Sequence, residues 1–512
     1  MKNRLLDLIH HLEAGLIERA VPARLALLAA LSGEHLLLLG PPGTAKSELA
    51  RKLHQIFSTT HYFERLLTRF TVPEELFGPL SIKALEDDRY QRLTEGYLPR
   101  ASVAFIDEIF KSNSAILNSL LTLLNEREFD NGNERVKVPL ICVIAASNEM
   151  PQETGLDALY DRFLLRYQVS PVSDEGFDAL LKLSIGSGQQ SHSHSAACAL
   201  RVLDVNDIER IQQLSTAVVL DDNSLKIMQD LRRYLQHQSI YISDRRWRQT
   251  LKLLQVCAYT SEQKQISVWD CTLMVHIMWH SPEQQSLLKN WFIDALGLDV
   301  ASAEVRLQKL VEAREFQLAE DSKKVTHKTN EQGEYLYTDL SGRLTTQHEH
   351  VSFAERKGEA LYLAPPDQPD RTNQDRGYTL EELERTFFDR DYKQTHIDGH
   401  WIDVQNYINN TQNKLVRRQL FEAVVEAYYF PRELVAAQRA DIEQTINDVS
   451  GVCAGFEAIS AELETVLKNN IWLASGMLED AMRAIHLKMP VLAEFQQRLI
   501  KLKEINAGLS VK

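Results

Sequence analysis

The chain has 512 residues, of which 44% are hydrophobic and 25% charged, the balance of a globular protein with room for about two to four domains. Its formal net charge is -14, from 71 acidic against 57 basic side chains, which argues against a general grip on nucleic acid, where a positive excess is the rule. No apolar run approaches the roughly eighteen residues of a membrane-spanning helix, and Cys142, Cys198, Cys257, Cys271 and Cys453 lack Cys-x-x-Cys or metal-like spacing, the usage of reduced thiols in a cytoplasmic protein.

The first stretch, "MKNRLLDLIHHLEAGL", mixes Asp, His and Glu into its apolar positions and reads as an amphipathic helix rather than a signal peptide. Leu36 to Leu39 are too few for a helix and too apolar for an edge, so they fit a strand buried on both faces of a parallel sheet. "GPPGTAKS" follows, and then Leu49, Ala50, Leu53, Ile56 and Phe57 recur at helical spacing. Strand, Gly-rich turn and helix form the context of a phosphate-binding loop. Gly40, Pro41, Pro42, Gly43, Thr44, Ala45, Lys46 and Ser47 make up that loop. Its backbone N–H groups, from Gly43 to Ser47, point at phosphates from a helix N-terminus. Lys46 neutralises the outer phosphates and the Ser47 hydroxyl is a Mg2+ ligand. Ala45 stands where the common form of the loop has glycine, at a cost of about 1 kcal/mol if that position needs positive φ.

"VPEELFGPLSIKALEDDRYQRLTEGYLP" is richer in turns than a simple crossover needs. "VAFIDEIF" is a second short buried strand ending in adjacent carboxylates: Asp107 sits where a carboxylate holds the Mg2+ shell, and Glu108 where one takes a proton from an attacking water. "EREFDNGNERVKV" places Asn131-Gly132 between a segment ending in Phe129 and the alternating Arg135 to Val138, a tight hairpin. "LICVIAASNEM" is a third strand, ending on Asn148, a neutral polar side chain suited to positioning water between a γ-phosphate and Glu108.

Beyond this core, "SIGSGQQSHSHSA", Ser184 to Ala196, reads as a flexible polar excursion, in which His192 and His194 lack the acidic or Cys partners of a metal site. From Leu203 to about Leu298 the pattern is helical. "AEVRLQKLVEAREFQLAE" offers Val305, Leu307, Leu310, Val311 and Phe316 for one helix face, and "RELVAAQRADIEQTINDV", "FEAISAELETVLKNN" and "WLASGMLEDAMRAIHLKMPVLAEFQQRLIKLKEI" repeat apolar residues three and four apart, as helices that pack together do. Between them, "GEYLYTDLSGRLTT" and "GEALYLAPP" suggest short strands and "PPDQPDRTNQDRGY" a loop. The expected fold is α/β: a P-loop core with a parallel sheet over 1–200, an all-helical lid over 201–298, and a helical arm (299–323 and 419–512) interrupted by a small mixed α/β or β domain over 324–418.

The three strand ends, with "TRFTVPEELFGPLSI", "GYLPRASVAFIDEIFKSNSAILNSLLTLLNERE", "AASNEMP", "ALYDRFLLR" and "SDRRW", resemble the MoxR group of AAA+ ATPases, and most the RavA subfamily. Over roughly the first 290 residues the resemblance implies roles position by position. Lys46 and Ser47 match the first nucleotide motif, Asp107 and Glu108 the second, and Asn148 the first sensor. Arg162 matches the arginine finger that reaches a neighbouring subunit's γ-phosphate, with Arg166 a second candidate, and Arg245 matches the second sensor, with Arg246 its rival. In this group the loop often carries Ala before the Lys, so Ala45 fits the branch. The group also belongs to a clade with a hairpin before the first sensor and an insertion in the second helix, elements that face a ring axis.

The resemblance further implies ATP and Mg2+ as ligands, a homo-hexamer and a VWA-domain protein as partner. The interrupted arm is similar in layout to RavA proteins, where the inserted domain docks a further client, a lysine decarboxylase in part of the subfamily; nucleic acid and membrane insertion are not expected. The favoured reading is an ATP-hydrolysing ring that remodels or matures a protein complex. Its alternative is a nucleotide-gated adaptor that sequesters a partner, with a chelatase-type motor subunit behind both.

Overall fold

Four consecutive leucines, Leu36–Leu39, are all buried and form β1 at the heart of a five-stranded sheet. The computed structural model describes residues 1–58, 61–111, 114–151, 156–186, 202–473 and 476–512. Ahead of β1 lie α1 (Lys2–Glu13), which buries Leu5, Leu8, Ile9 and Leu12 at helical spacing, and α2 (Ala20–Ser32), buried on nearly every side from Pro22 onward. Gly33 ends α2 in the left-handed conformation, φ 74°, which glycine adopts without a Cβ penalty. After β1 come α3 (Lys46–Gln55), β2 (Tyr62–Leu66), α4 (Pro73–Phe77), α5 (Ile82–Glu86) and β3 (Val103–Asp107). The core continues through α6 (Ser114–Glu126), the hairpin β4 (Glu128–Asn131) and β5 (Glu134–Lys137), β6 (Cys142–Ser147), α7 (Asp157–Tyr160), β7 (Leu165–Gln168) and α8 (Asp174–Gly186).

The sheet order is β2-β3-β6-β1-β7, with every pair parallel. Helical crossovers permit that arrangement, and burial on both faces explains why these strands read as continuous apolar runs. The hairpin is present one residue out of the expected register. Asn131 pairs with Glu134 and the turn is Gly132-Asn133, because Gly132 (φ 70°) supplies the positive φ that the first turn position demands. Asn131 then acts as a latch: its Oδ1 accepts from Arg92 N at 2.6 Å and its Nδ2 donates to Arg92 O at 3.1 Å, tying the hairpin to the turn-rich segment between α5 and β3.

The lid comprises α9 (Val205–Ser215), α10 (Asp222–His237), α11 (Asp244–Thr260) and α12 (Pro282–Ala295). It is helical apart from a two-residue parallel ladder between β8 (Val219–Leu220) and β9 (Gln265–Ile266). Asp204, Asp221 and Ser243 cap the first three of these helices with side-chain oxygens, satisfying N–H groups that the helix itself leaves open. The polar excursion after α8, with His192 and His194, and Cys198 lie outside the described residues. The other four cysteines are free thiols, and no described helix is long and apolar enough to cross a membrane.

The chain divides into two compact units: residues 1–308 with 448–496, and residues 309–447 with 497–512. In the first, the C-terminal return is held by buried polar groups. Asn470 Nδ2 donates to Asp270 Oδ1 at 2.6 Å, and Trp472 Nε1 to Thr260 Oγ1 at 2.8 Å. The second unit draws on α13 (Val300–Lys323), α16 (Arg432–Asn469) and α17 (Met477–Ala507), joined there by Glu315–Arg498 at 2.6 Å and Glu443–Lys503 at 2.8 Å. In α13 the buried apolar positions are Val300, Leu307, Val311 and Leu318, while Val305, Leu310 and Phe316 are exposed, so the expected face is narrower than its composition suggested. Between the helices lie short antiparallel strands from Val325 to Ala427, with α14 (Leu380–Phe387) and α15 (Val404–Asn409). This insert is mixed α/β, with Tyr362, Leu383, Phe388, Ile397, Val404 and Tyr407 as its core.

Candidate nucleotide site

In a parallel sheet all strands end on one side, and four of the predicted groups meet there. Gly40 follows β1, Asp107 closes β3, Glu108 follows it, and Asn148 follows β6, with Gly40 N bonded to Ser147 O at 2.9 Å. Such C-terminal edges are where open α/β sheets bind ligands. Pro41 and Pro42 are exposed at the loop's rim, Thr44 and Lys46 are buried, and Ser47 is the second residue of α3.

The loop is shaped by three residues that tolerate unusual backbone. A Cβ on Gly40 would lie 2.1 Å from Val169 O, so only glycine fits. Gly43 has φ 79°, and a Cβ there would project into open space, the space a phosphate group would take. Ala45, φ 62°, does sit in the left-handed region as the N-cap of α3, which costs an L-residue roughly 1–2 kcal/mol. Lys46 Nζ donates to Gly40 O at 2.8 Å and Pro41 O at 2.7 Å. Burial draws its ammonium below the usual range, against the pull of the Asp107 and Glu108 carboxylates.

Sequence reasoning missed Arg19. It is buried at the loop's flank, donating from Nε to Thr44 O at 3.1 Å and from Nη2 to Ser170 O at 2.8 Å; burial lowers its pKa. No local pattern marks it, since an arginine just before a helix ordinarily faces water. Beside it opens a cavity of about 520 Å³ whose lining includes Val21, Tyr167, His276, Trp472, Leu478 and Asp480.

The carboxylates differ in setting. Asp107 Oδ1 accepts from Glu108 N at 3.0 Å. Glu108 itself has φ 52°, and its Oε2 is buried with no hydrogen-bond partner, although Lys111 Nζ lies 3.3 Å away as an ion pair. No group of three His, Cys, Asp or Glu side chains among the described residues makes a metal cage. One hydroxyl and one carboxylate beside a phosphate cradle is, however, the donor set that Mg2+ takes when phosphates and water complete its shell, and Ser47 with Asp107 fits it.

The four arginines lie elsewhere. Arg162 precedes β7 and so stands at the opposite edge of the sheet; Leu165 pairs with Leu36, the first residue of β1. The length of β1 alone, about 13 Å at 3.3 Å per residue, separates that edge from Gly40. Arg162 is partly buried, and its Nε has no hydrogen-bond partner. Arg166 is fully buried, donating to the carbonyls of Phe163, Tyr160 and Trp279, with its guanidinium 3.7 Å from the Tyr160 ring centroid. Arg246 is 1% exposed and donates to Ile277 O, Phe163 O and Leu164 O and to Asp161. Arg166 and Arg246 are therefore committed to holding the segment around Arg162 against the lid. Arg245 is only partly buried and donates from Nη2 to Asn125 Oδ1 at 2.5 Å, and it too stands toward the Arg162 edge, close enough to Glu34, just ahead of β1, to act on its carboxyl.

A family model described as the MoxR domain in the MoxR-vWA-beta-propeller ternary systems matches residues 3–213, and an AAA lid domain model matches residues 223–292. Two uncharacterised proteins of Methanocaldococcus jannaschii are similar. MJ0079 is 40% identical over 265 residues, 51% of this chain and 67% of that protein; MJ0812 is 40% identical over 271 residues, 52% of this chain and 69% of that protein. Structural protein ORF618 of Acidianus two-tailed virus is 29% identical over 230 residues, 44% of this chain and 37% of that protein. Both family matches end before α13.

Proposed function

The chain belongs to the MoxR-type AAA+ ATPases, and from that premise we propose that it hydrolyses Mg-ATP as a homo-hexameric ring and remodels or matures a protein complex together with a VWA-domain protein. One observation carries this reading: the phosphate loop, Asp107, Glu108 and Asn148 occupy one edge of the sheet, while Arg162 and Arg245 stand at the other. A chain built so keeps Arg162 and Arg245 away from its own phosphate loop and offers them to a neighbour. Head-to-tail repetition of such an interface closes into a ring.

In this reading the loop amides and Lys46 hold the phosphates, and the apolar cavity beside Arg19 takes the base. Ser47 and Asp107 would hold Mg2+, which would supply neutralisation of phosphate charge. Asn148 orients a water, and Glu108 accepts its proton as the water oxygen bonds to the γ-phosphorus and the bond to the ADP oxygen breaks. Arg162 of each chain stabilises the charge that develops at its neighbour's site, a contribution on the order of 10³-fold or more in turnover where such fingers operate.

The VWA partner is supported by the wording of the matched family model. A RavA-like role, with the insert meeting a client, is supported by the placement of short strands between long helices. The test is the ATPase rate against protein concentration for the intact chain, Glu108→Gln and Arg162→Ala, with mass and ATP binding recorded alongside. Turnover that rises with assembly and collapses in both variants, while Glu108→Gln retains ATP, is expected. Turnover that neither substitution changes would replace the motor with a nucleotide-gated adaptor.

A further inference from the structure

The segment after β3 does something the strand-end motif does not require. Glu108 takes a left-handed backbone, φ 52°, and a 3-10 turn over Ile109–Lys111 follows at once, closed by Lys111 N donating to Glu108 O at 2.9 Å. The left-handed residue and the turn closed by that bond fold the chain back so that Lys111 lies beside Glu108, with Nζ 3.3 Å from Oε2. That oxygen is buried and has no hydrogen-bond partner, so the lysine supplies the polar contact that a buried carboxylate oxygen otherwise lacks. The lysine is the more open of the two, its side chain 42% exposed against 17% for Glu108. Burial by neighbouring atoms therefore does not account for its position; the turn geometry and the ion pair do.

We propose that Lys111 is the positioning residue for Glu108: by engaging Oε2 it fixes the carboxylate's rotation and leaves Oε1 as the oxygen that receives the proton of the attacking water. The assignment rests on the reading of Glu108 as the base. A carboxylate free to rotate about its last torsion samples a broad range, since such sp3–sp2 torsions have no sharp minima, and a base must hold its oxygen within hydrogen-bond reach of the proton it takes. A single cation on one oxygen narrows that range. It does so without touching nucleotide, so ATP should bind as well without it.

The experiment compares the intact chain with Lys111→Met, Lys111→Arg, Glu108→Gln and the double variant Glu108→Gln/Lys111→Met. It measures kcat and KM for ATP and, independently of turnover, the affinities for ADP and for ADP with aluminium fluoride. Lys111→Met is expected to lower kcat at least tenfold with KM within twofold of the intact chain. It should weaken the aluminium fluoride complex by a similar factor while leaving ADP affinity unchanged. Lys111→Arg should recover most of both losses, and the double variant should be no slower than Glu108→Gln alone. The proposal is overturned if Lys111→Met keeps full kcat and full aluminium fluoride affinity, or if it slows the Glu108→Gln background as much as it slows the intact chain. Full turnover in Glu108→Gln by itself is a separate result, and it removes the base assignment on which the role of Lys111 depends.

Discussion

Arg246 Nη1 and Asp161 Oδ1 lie 2.9 Å apart, and this pair fixes the chain one residue ahead of Arg162. The same guanidinium bonds the carbonyls of Phe163 and Leu164 just beyond it, and that of Ile277 in the lid. Position and charge have been divided among the arginines. Arg246 and Arg166 are spent on the frame, which leaves Arg162 and Arg245 as the candidates for a neighbour's site.

Replacing Arg246 with Ala strands three buried carbonyls and Asp161 without their donor. Asp161 is 37% exposed and can turn to water, but a buried carbonyl left without its donor costs about 1–3 kcal/mol, so the urea midpoint should fall sharply. Arg162→Ala, by contrast, should leave that midpoint nearly unchanged while abolishing ATPase. Parallel unfolding curves for these two variants check the division; equal destabilisation by both would show that Arg162 is also part of the frame.

Ala45 sits at φ 62°, a conformation glycine enters without strain. Ala45→Gly should stabilise the chain by up to ~1 kcal/mol, the relief being partly offset by the extra freedom glycine has when unfolded. ATP affinity should be unchanged. A thermal melt with and without ATP measures both, and a clear loss of stability would mean that the alanine methyl has a packing role.

Two histidines, buried His35 and half-buried His276, give the stability a pH slope. His35 accepts from Val143 N through Nδ1 at 3.1 Å and faces Leu124 O through Nε2 at 3.3 Å, so a second proton would turn Nδ1 from acceptor to donor against an N–H. Burial holds its pKa well below the usual value, and burial lowers His276 to about 3. In the unfolded chain both take up a proton as pH falls through about 6.5, whereas in the folded chain they do not. The unfolded state therefore binds more protons between pH 6.5 and about 3, and stability present above 6.5 is lost through that window, at about 1.4 kcal/mol per pH unit for each histidine. Glu34 and Asp270, whose carboxyls burial raises, act in the opposite sense at the acid end. Urea unfolding at pH 7.5 and 5.5 should show the loss, and His276→Gln should make the slope shallower.

Asn470 donates to Asp270 Oδ1 at 2.6 Å while Ser267 N and Oγ bond Oδ2 at 2.7 and 2.8 Å. Asn470→Leu would leave a buried carboxylate short of one donor, a loss of about 1–3 kcal/mol. Asn470→Leu combined with Asp270→Asn should lose less than the sum of the single changes, because the two residues share one bond. Denaturation of the single and double variants measures that coupling.

What could be read from the residues alone was whatever depends on short, local chemistry. Leu36–Leu39, the loop to Ser47, and the Asp107-Glu108 pair announce themselves because strand burial and phosphate contact each need a particular residue type within a few positions. The four arginines were recognisable as a set but not divisible. Whether Arg162 or Arg166 is the one held in the frame turns on what packs against it, and Trp279, whose carbonyl Arg166 bonds, is 113 residues away in the chain. Arg19 was invisible for the same reason. The hairpin slipped by one residue because Asn131-Gly132 and Gly132-Asn133 are both acceptable turns, and Asn131 was needed as a latch to Arg92. In α13, composition offered five apolar positions where packing uses a narrower stripe.

The return of residues 448–496 to the first unit has a consequence during synthesis. Asp270 and Asn470 are 200 residues apart in the chain, and a ribosome adding about 5–20 residues per second needs roughly 10–40 s to cover that distance. Through that interval the lid emerges without Asn470 to meet Asp270 or Trp472 to meet Thr260, while the whole insert is made. The nascent ATPase unit is thus a waiting intermediate, and its completion is timed by translation of the insert rather than by its own collapse.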